Sequence, residues 1–341
     1  MPIKRATMAD VAERAGVSRT AVSLVLNNRV GTRLSEELAE RVRSAAAELG
    51  YRPNLTARSL TTQRSQIVGF VSELVTTGRF GNALIRGALH EAKRQGHVLF
   101  IAETAGELGA AREAVDALID RQVDGIIFAA TRPDRLEVPE HPKETPVVML
   151  NATAGEGIPA VLADEYDGAR RIVDLLLGSG HTEDVAIIGR SSTQPEDATL
   201  TVGVRRRLEG IWASLDAHGV TPIAQIPCEP WFVETGYAAV RELLDSGIKP
   251  RGLICLNDRI AFGAYRALGE SGLSVPDDVS IVSFDDDDIA VYLEPKLTTA
   301  AFPYEQMGET AVRVILGDVP PQPEYPVEMP IRVRGSVKLP E

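Results

Sequence analysis

Arginine, threonine, serine and asparagine side chains set along one face of a short helix can read base-pair edges, and residues 18–28 supply such a set. Ser18 is placed to cap a helix in which Ala21, Val22, Val25 and Leu26 recur at helical spacing, turning Arg19, Thr20, Ser23, Leu24, Asn27 and Asn28 outward. Arg19 suits a guanine edge, worth about 1–3 kcal/mol of discrimination, or a phosphate. A preceding helix must hold this one at its angle. Thr7 with Asp10 three residues on forms a capping-box pattern, Val11, Ala12 and Ala15 give a narrow apolar face, and Gly16 breaks the helix. The same letters also describe a plain helical hairpin. Gly16 sits where two helices must cross steeply, and Lys4, Arg5, Arg14, Arg19, Arg29 and Arg33 surround the pair with phosphate-binding charge. Entry into a DNA major groove is therefore the expected role.

Charge supports this division of labour once its distribution is followed. The 341 residues carry 36 Lys and Arg against 48 Asp and Glu, a net −12 that by itself argues against nucleic acid. Residues 1–64 hold eleven basic and six acidic side chains, net +5, which leaves −17 on the other 277. A basic module thus precedes an acidic body. The two cysteines, Cys228 and Cys255, make no disulfide framework, and Cys255 lies in an apolar run that suits a buried thiol. With no apolar leader and no stretch near the ~20 apolar residues of a membrane span, a cytoplasmic protein is expected.

A third helix closes the basic module: Ser35 caps it, Leu38, Val42, Ala45, Ala46 and Leu49 form its stripe, and Gly50 ends it. Residues 51–66 are polar, with Pro53 able to start a short helix over 54–60, and read as a boundary. From residue 67 short apolar runs alternate with amphipathic helices. Strands are predicted over 67–71, 98–102, 125–129, 146–150 and 158–162, with helices over 83–95 and 107–122. The order then repeats, with helices over 167–177, 204–218, 233–246 and 260–271, and strands over 185–188, near 226, over 253–256 and over 279–284. One more strand after 297, a helix over 304–316 and an extended segment over 329–337 remain to complete either half. Parallel strands place ligands at their carboxyl ends, so two such halves facing each other make a cleft.

Four stretches, in order, resemble the LacI family of bacterial ligand-responsive transcriptional repressors: MADVAERAGVSRTAVSLVLNN from Met8, YRPNLTARSL from Tyr51, RRRLEGIWASLDAHG from Arg205, and LNDRIAFGAYRALGESGLSVPDDVSIVSFDD from Leu256. The resemblance spans essentially the whole chain. It implies an all-α helix-turn-helix head on an α/β bilobed, periplasmic-binding-protein-like core of two parallel-sheet subdomains. It implies a homodimer on a near-palindromic operator, and hinge helices that order on DNA. Leu60 matches the apolar residue such hinges wedge into the minor groove, a step that kinks the duplex at about a few kcal/mol of unstacking; the other role for Leu60 is packing onto the core. Ala21 and Leu24 depart from the threonine and basic residue common at their positions, and Leu24 suits a thymine methyl instead. The expected DNA-contacting set is Thr7, Ser18, Arg19, Thr20, Ser23, Leu24, Asn27 and Asn28 in the head and Asn54, Ala57, Arg58 and Leu60 in the hinge.

The resemblance also implies effector contacts at Arg207, Trp231, Asn257 and Asp285, whose chemistry suits a polyol: charged donors and acceptors for paired hydroxyls, an amide offering both, and an indole to stack on an apolar sugar face. Asp164 and Phe80 follow strands at the mouth of the expected cleft, and Tyr304 lies where the family often offers an aromatic. Asp286, Asp287 and Asp288 are expected to be solvent-facing loop residues, and no metal site or cofactor is expected. The expected function is a sequence-specific repressor whose operator affinity is set by a small molecule, a sugar or related metabolite, bound between lobes. The alternative is a solute-binding protein without a regulatory role, which the basic head argues against. An enzyme is not expected, because the chain has no Gly-x-Gly-x-x-Gly opening a helix, no P-loop and no paired-His motif. The expected layout is a head over 1–50, hinge and linker over 51–64, and a core over 65–341. Its lobes are about 65–162 with 293–322, and 163–292 with 323–341.

Overall fold

Thr7 opens the first helix as the sequence requires. In the computed structural model its hydroxyl accepts from the Asp10 amide at 3.3 Å, while the Asp10 carboxylate accepts from the Thr7 amide at 2.7 Å. The structure describes residues 6–26, 34–51, 64–76, 81–130, 135–155, 157–180, 183–189 and 201–338. Helix α1 (Met8–Ala15) ends at Gly16, whose φ of 67° is the left-handed conformation that glycine adopts without a Cβ clash. Helix α2 (Arg19–Leu26) follows, with the Ser18 hydroxyl accepting from the Ala21 amide at 3.1 Å. Helix α3 (Glu36–Glu48) starts at the Ser35 cap. Val11, Val22 and Val42 are fully buried at the centre of this small core. Leu49, expected in the stripe of α3, is exposed, because the helix ends at Glu48 and Gly50 turns the chain.

Residues Met1–Gln66 and Ile67–Glu341 form two compact units. The second unit contains two six-stranded sheets, parallel but for one edge strand. Its elements in chain order are β1 (Ile67–Glu73), α4 (Gly81–Arg94), β2 (Val98–Glu103), α5 (Leu108–Asp120), β3 (Gly125–Ala130), β4 (Val147–Leu150) and β5 (Ala160–Ala163). There follow α6 (Glu165–Gly178), β6 (Val185–Gly189), α7 (Val202–Ala217), β7 (Ala224–Pro227), α8 (Val233–Asp245), β8 (Gly252–Cys255), α9 (Asp258–Glu270) and β9 (Ser280–Asp285). The chain ends with β10 (Thr298–Ala301), α10 (Tyr304–Ile315), β11 (Glu324–Val327) and β12 (Ile331–Arg332). Strands β3, β4, β8 and most of β9 are buried along their length, as strands covered by helices on both faces must be.

The strand order is β11-β5-β4-β3-β1-β2 in the first sheet and β12-β10-β9-β8-β6-β7 in the second. This corrects the expected lobe boundaries. Strand β10 pairs in parallel with β9, Thr298 opposite Val282, so the segment after residue 293 stays in the second lobe through residue 301. Strand β11 pairs with β5, Glu324 opposite Ala160, so residues 324–327 close the first sheet rather than the second. Only β12 returns, antiparallel to β10. Strand β10 is buried along its length against β9, while β11 and β12 close sheet edges and stay partly exposed. Helix α10 joins the first lobe by a glycine-to-backbone contact with α4: a Cβ on Gly308 would lie 2.1 Å from the Leu84 carbonyl oxygen. No helix among the described residues is long and apolar enough to cross a membrane.

Candidate nucleic-acid interface and effector cleft

Within the head, the first turn of α2 carries Arg19 and Thr20 exposed, with Ser23 and Leu24 half-buried one turn on. Val22 and Val25 anchor the opposite face. Thr7 and Ser18 spend their hydroxyls on the caps of α1 and α2, which places them at helix N-termini, where backbone N–H groups and the helix dipole favour phosphate. Asn27, Asn28, Asn54, Ala57, Arg58 and Leu60 lie outside the described residues, as does Phe80.

The effector candidates gather at the carboxyl ends of β8 and β9. Arg207, on α7 and only 4% exposed, donates through Nε and Nη2 to the two carboxylate oxygens of Glu165 at 2.7 and 2.9 Å. Its Nη1 donates to the Leu256 carbonyl at 2.6 Å, its Nη2 lies 3.5 Å from Asp285 Oδ1, and its guanidinium stacks 4.5 Å over the Phe284 ring. Burial works against the charge on Arg207, but Glu165 and Asp285 more than offset it and raise its pKa. Asp285 closes β9 with a φ of 104°. Burial pushes its carboxyl up to about 6, with Arg207 opposing and Glu165 adding to the rise. Tyr304 belongs to the same cluster: burial and then the Asp285 charge hold its hydroxyl well above the usual range, and its ring stacks on Phe302 at 4.3 Å.

Trp231 and Asn257 meet on the same side. Asn257 caps α9, its Oδ1 accepting from the Ile260 amide at 2.8 Å, and its Nδ2 donates to the Trp231 carbonyl at 3.3 Å. The Trp231 indole N–H is buried without a partner among the described residues. Asp164 caps α6, accepting from the Asp167 amide at 3.1 Å, and the carboxylate from this strand end that reaches Arg207 is the next residue, Glu165.

Two residues of the site escape sequence reasoning. Glu165 reads as an ordinary first-turn acid of α6 until the fold brings it against an arginine 42 positions further along the chain. Asn151, at the end of β4 in the first lobe, is 1% exposed with a φ of 52°, and Nδ2 donates to the Ala130 carbonyl at 3.1 Å. Its Oδ1 has no partner among the described residues. The signal for it was a lone polar residue directly after an apolar strand, at the end where parallel sheets bind ligands. Asn151, Glu165, Arg206 and Phe302 line a cavity of about 10 Å³ between the lobes, room for about one water molecule. Beside it Arg206 of α7 bridges to Glu324 of β11 with bonds of 2.5 and 2.8 Å, tying second lobe to first.

Of the three aspartates expected to face solvent, Asp288 is exposed, whereas Asp286 and Asp287 are held by the protein. Asp286 accepts from Arg334 at 2.6 Å, and Asp287 is 3% exposed with its amide donating to Asp258 at 2.7 Å. Asp258 is itself buried, taking a further bond from Thr299 at 2.8 Å, and burial and then the Asp285 charge push its carboxyl up to about 8.

A small helical reader and a bilobed α/β body with a polar cleft define a class, the ligand-controlled bacterial regulators. Comparison narrows this: residues 7–54 match the model of bacterial regulatory proteins of the lacI family, and residues 173–337 the periplasmic binding protein-like domain. The ribose operon repressor of Escherichia coli (strain K12) is 30% identical over 316 residues, 91% of this chain and 92% of its own. The lac repressor dimer bound to operator and the anti-inducer ONPF superposes with a TM-score of 0.72 at 28% identity, over 99% of this chain and all of that one. A LacI family transcriptional regulator from Enterococcus faecium with bound ribose gives 0.60 at 26% identity, over 81% of this chain and all of that one. The chain belongs to the lacI family of bacterial regulatory proteins.

Proposed function

We propose that this chain is a cytoplasmic repressor that binds operator DNA as a homodimer and releases or tightens its hold when a sugar-like metabolite enters the cleft, without catalysing a reaction. The observation that carries this is one chain holding both an exposed Arg19–Thr20 edge on a capped helix pair and a buried cluster of Arg207, Glu165, Asp285, Asn257 and Asn151 at strand ends. The first contacts duplex DNA through its major groove. The second offers the convergent polar groups of a small-molecule site. Residues 1–50 form the reader and 51–64 the hinge, where Asn54, Ala57, Arg58 and Leu60 reach the minor groove. The apolar edge of β2, with Val98, Phe100 and Ile101 exposed, suits pairing between protomers, since an uncovered strand edge of this kind otherwise invites aggregation. Closure of the lobes on ligand shifts that face, and a coupling of about 1–3 kcal/mol suffices to move operator occupancy.

The test is selection of the full chain on a randomised duplex library, followed by anisotropy of the recovered site. The expected result is a pair of inverted half-sites, bound about tenfold or more weakly by Arg19→Ala, with affinity falling steeply in salt. Absence of any enriched sequence, or equal DNA affinity in a chain lacking residues 1–66, would overturn the proposal.

A further inference from the structure

Neighbouring arginines on α7 each make a two-point bond to a carboxylate, but the two bonds join different bodies. Arg207 binds Glu165 of α6, and both helices belong to the second lobe. Arg206 binds Glu324 of β11, a strand of the first sheet, through Nη1 at 2.5 Å and Nη2 at 2.8 Å. The Arg207 pair is 4% exposed and moves with one lobe, whereas the Arg206 pair, 32% and 33% exposed, spans both.

The chain itself crosses between the lobes where β5 runs into α6 at Asp164, where β10 runs into α10 at Phe302 and Pro303, and where β11 runs into β12 over residues 328–330. These crossings are stitched together: the Asp164 amide donates to the Val327 carbonyl at 2.8 Å, and the Ala301 amide to the Pro330 carbonyl at 2.9 Å. They form one ribbon about which the lobes can rotate. Helix α7 reaches past it. Val202, in the first turn, packs against the first-lobe cluster that contains Met149, Ala160 and Leu162, and Arg206 lies one turn further on. Glu324 stands opposite Ala160, at the start of the strand that ends at Val327, so it lies about 10 Å from the ribbon. A rotation of about 15–20° around the ribbon moves the partners about 3 Å apart, enough to break both bonds. Glu324 is poorly placed to follow, because the turn before it is braced by the Tyr325 hydroxyl, which accepts from the Gln322 amide and donates to the Pro320 carbonyl, each at 3.0 Å.

We propose that Arg206 and Glu324 form an ionic latch between the lobes: it is fastened in this arrangement, parts when the lobes rotate, and is loosened by salt, so the pair sets the balance between arrangements. A pair one-third exposed is within reach of ionic screening, which the buried Arg207 pair largely escapes. The latch goes beyond the proposed regulation and does not depend on which metabolite enters the cleft.

The experiment places nitroxide labels on Lys143→Cys, in the loop before β4, and Asp216→Cys, in the last turn of α7, both exposed; the native cysteines are buried. Labelled full chain is diluted into excess unlabelled chain, and the distance between lobes is read by pulsed electron resonance. Glu209 and Asp164 also face Arg206, so Arg206→Glu sets a carboxylate among three others. Arg206→Glu and Glu324→Arg should each shift the ratio of distance populations at least about threefold, with Glu324→Gln shifting it less in the same direction. Combining the two reversals should restore the wild-type distribution, a rescue that loss of packing at either residue would not give. Raising salt from about 0.1 to about 1 M, over which the screening length falls from about 10 to about 3 Å, should move the wild type the way Glu324→Gln does and leave Glu324→Gln nearly unmoved. The inference is overturned if the folded single variants keep the wild-type distances, if the reversed pair fails to restore them, or if salt acts equally on wild type and Glu324→Gln. Operator affinity of the same variants at one salt concentration separates this from the proposed function: altered distances with unaltered affinity would uphold the latch and reject the coupling of lobes to head.

Discussion

Replacing Arg207 by methionine would leave Glu165, 4% exposed, and Asp285, 17% exposed at its side chain, with no cation between them. Removing one partner of a buried ion pair costs about 3–5 kcal/mol, because the other charge stays desolvated and unpaired. Methionine keeps most of the packing over Phe284, so the loss reports the electrostatics and the three donated bonds. Without the arginine the Asp285 carboxyl, which burial already raises to about 6, loses the charge that opposed the rise and titrates higher still above its unfolded value near 4. The folded state then holds protons that the unfolded chain has released, and stability is lost as pH rises through that window. The deficit of Arg207→Met is therefore smallest near pH 4.5 and largest near pH 8. The double variant Arg207→Met with Glu165→Leu removes the pair together and should recover all but about 2 kcal/mol, since an apolar pair of similar volume replaces a buried salt bridge at little cost. Urea unfolding followed by tryptophan fluorescence is the assay, and both tryptophans, Trp212 and Trp231, lie in the second lobe and report on it. A single-variant loss under about 1 kcal/mol, or one that does not change with pH, would refute the assigned balance of charge and burial.

Asp258 carries a raised carboxyl near 8, so wild-type stability should fall by at most about 1.4 kcal/mol per pH unit between about pH 4 and 8, a slope that Asp258→Asn should flatten. Parallel pH profiles for the two proteins would contradict this. Gly308→Ala would place a Cβ 2.1 Å from the Leu84 carbonyl oxygen, prising α10 from α4 at a cost of about 1–3 kcal/mol that scanning calorimetry would detect as a lowered melting temperature. In the head, Thr7→Ala removes the acceptor of the Asp10 amide, worth about 1 kcal/mol, and hydrogen exchange at that amide should quicken about fivefold.

The head was legible almost residue by residue, because helix caps are local chemistry: Thr7, Ser18 and Ser35 each sit within three residues of the amides they cap. The alternating strands and helices of the body were legible for the same reason, apolar periodicity being a short-range property. Which sheet each late strand joins was not. Strands β10 and β11 are both four-residue runs, and their destinations are set by edges laid down more than a hundred residues earlier in the case of β5. The cleft divided similarly. Arg207 and Asp285 stood out through motif resemblance, whereas Glu165 and Asn151 look locally like a helix-start acid and a strand-end amide. Their roles exist only once α6, α7 and β4 are side by side. Asp286 and Asp287 were misjudged because their partners, Arg334 and the Asp258 carboxylate, come from distant chain.

The late arrival of β11 and β12 has a bearing on how the protein is made. During synthesis the amino-terminal reader is complete as soon as its third helix clears the ribosome, yet the first sheet waits for residues 324–327 and the second for 331–332 to seal their margins. Translation must reach residue 327 before the first half of the sensor is finished and residue 332 before the second. A nascent or prematurely terminated product that stops before residue 324 would carry a finished reader on a sensor with two frayed borders.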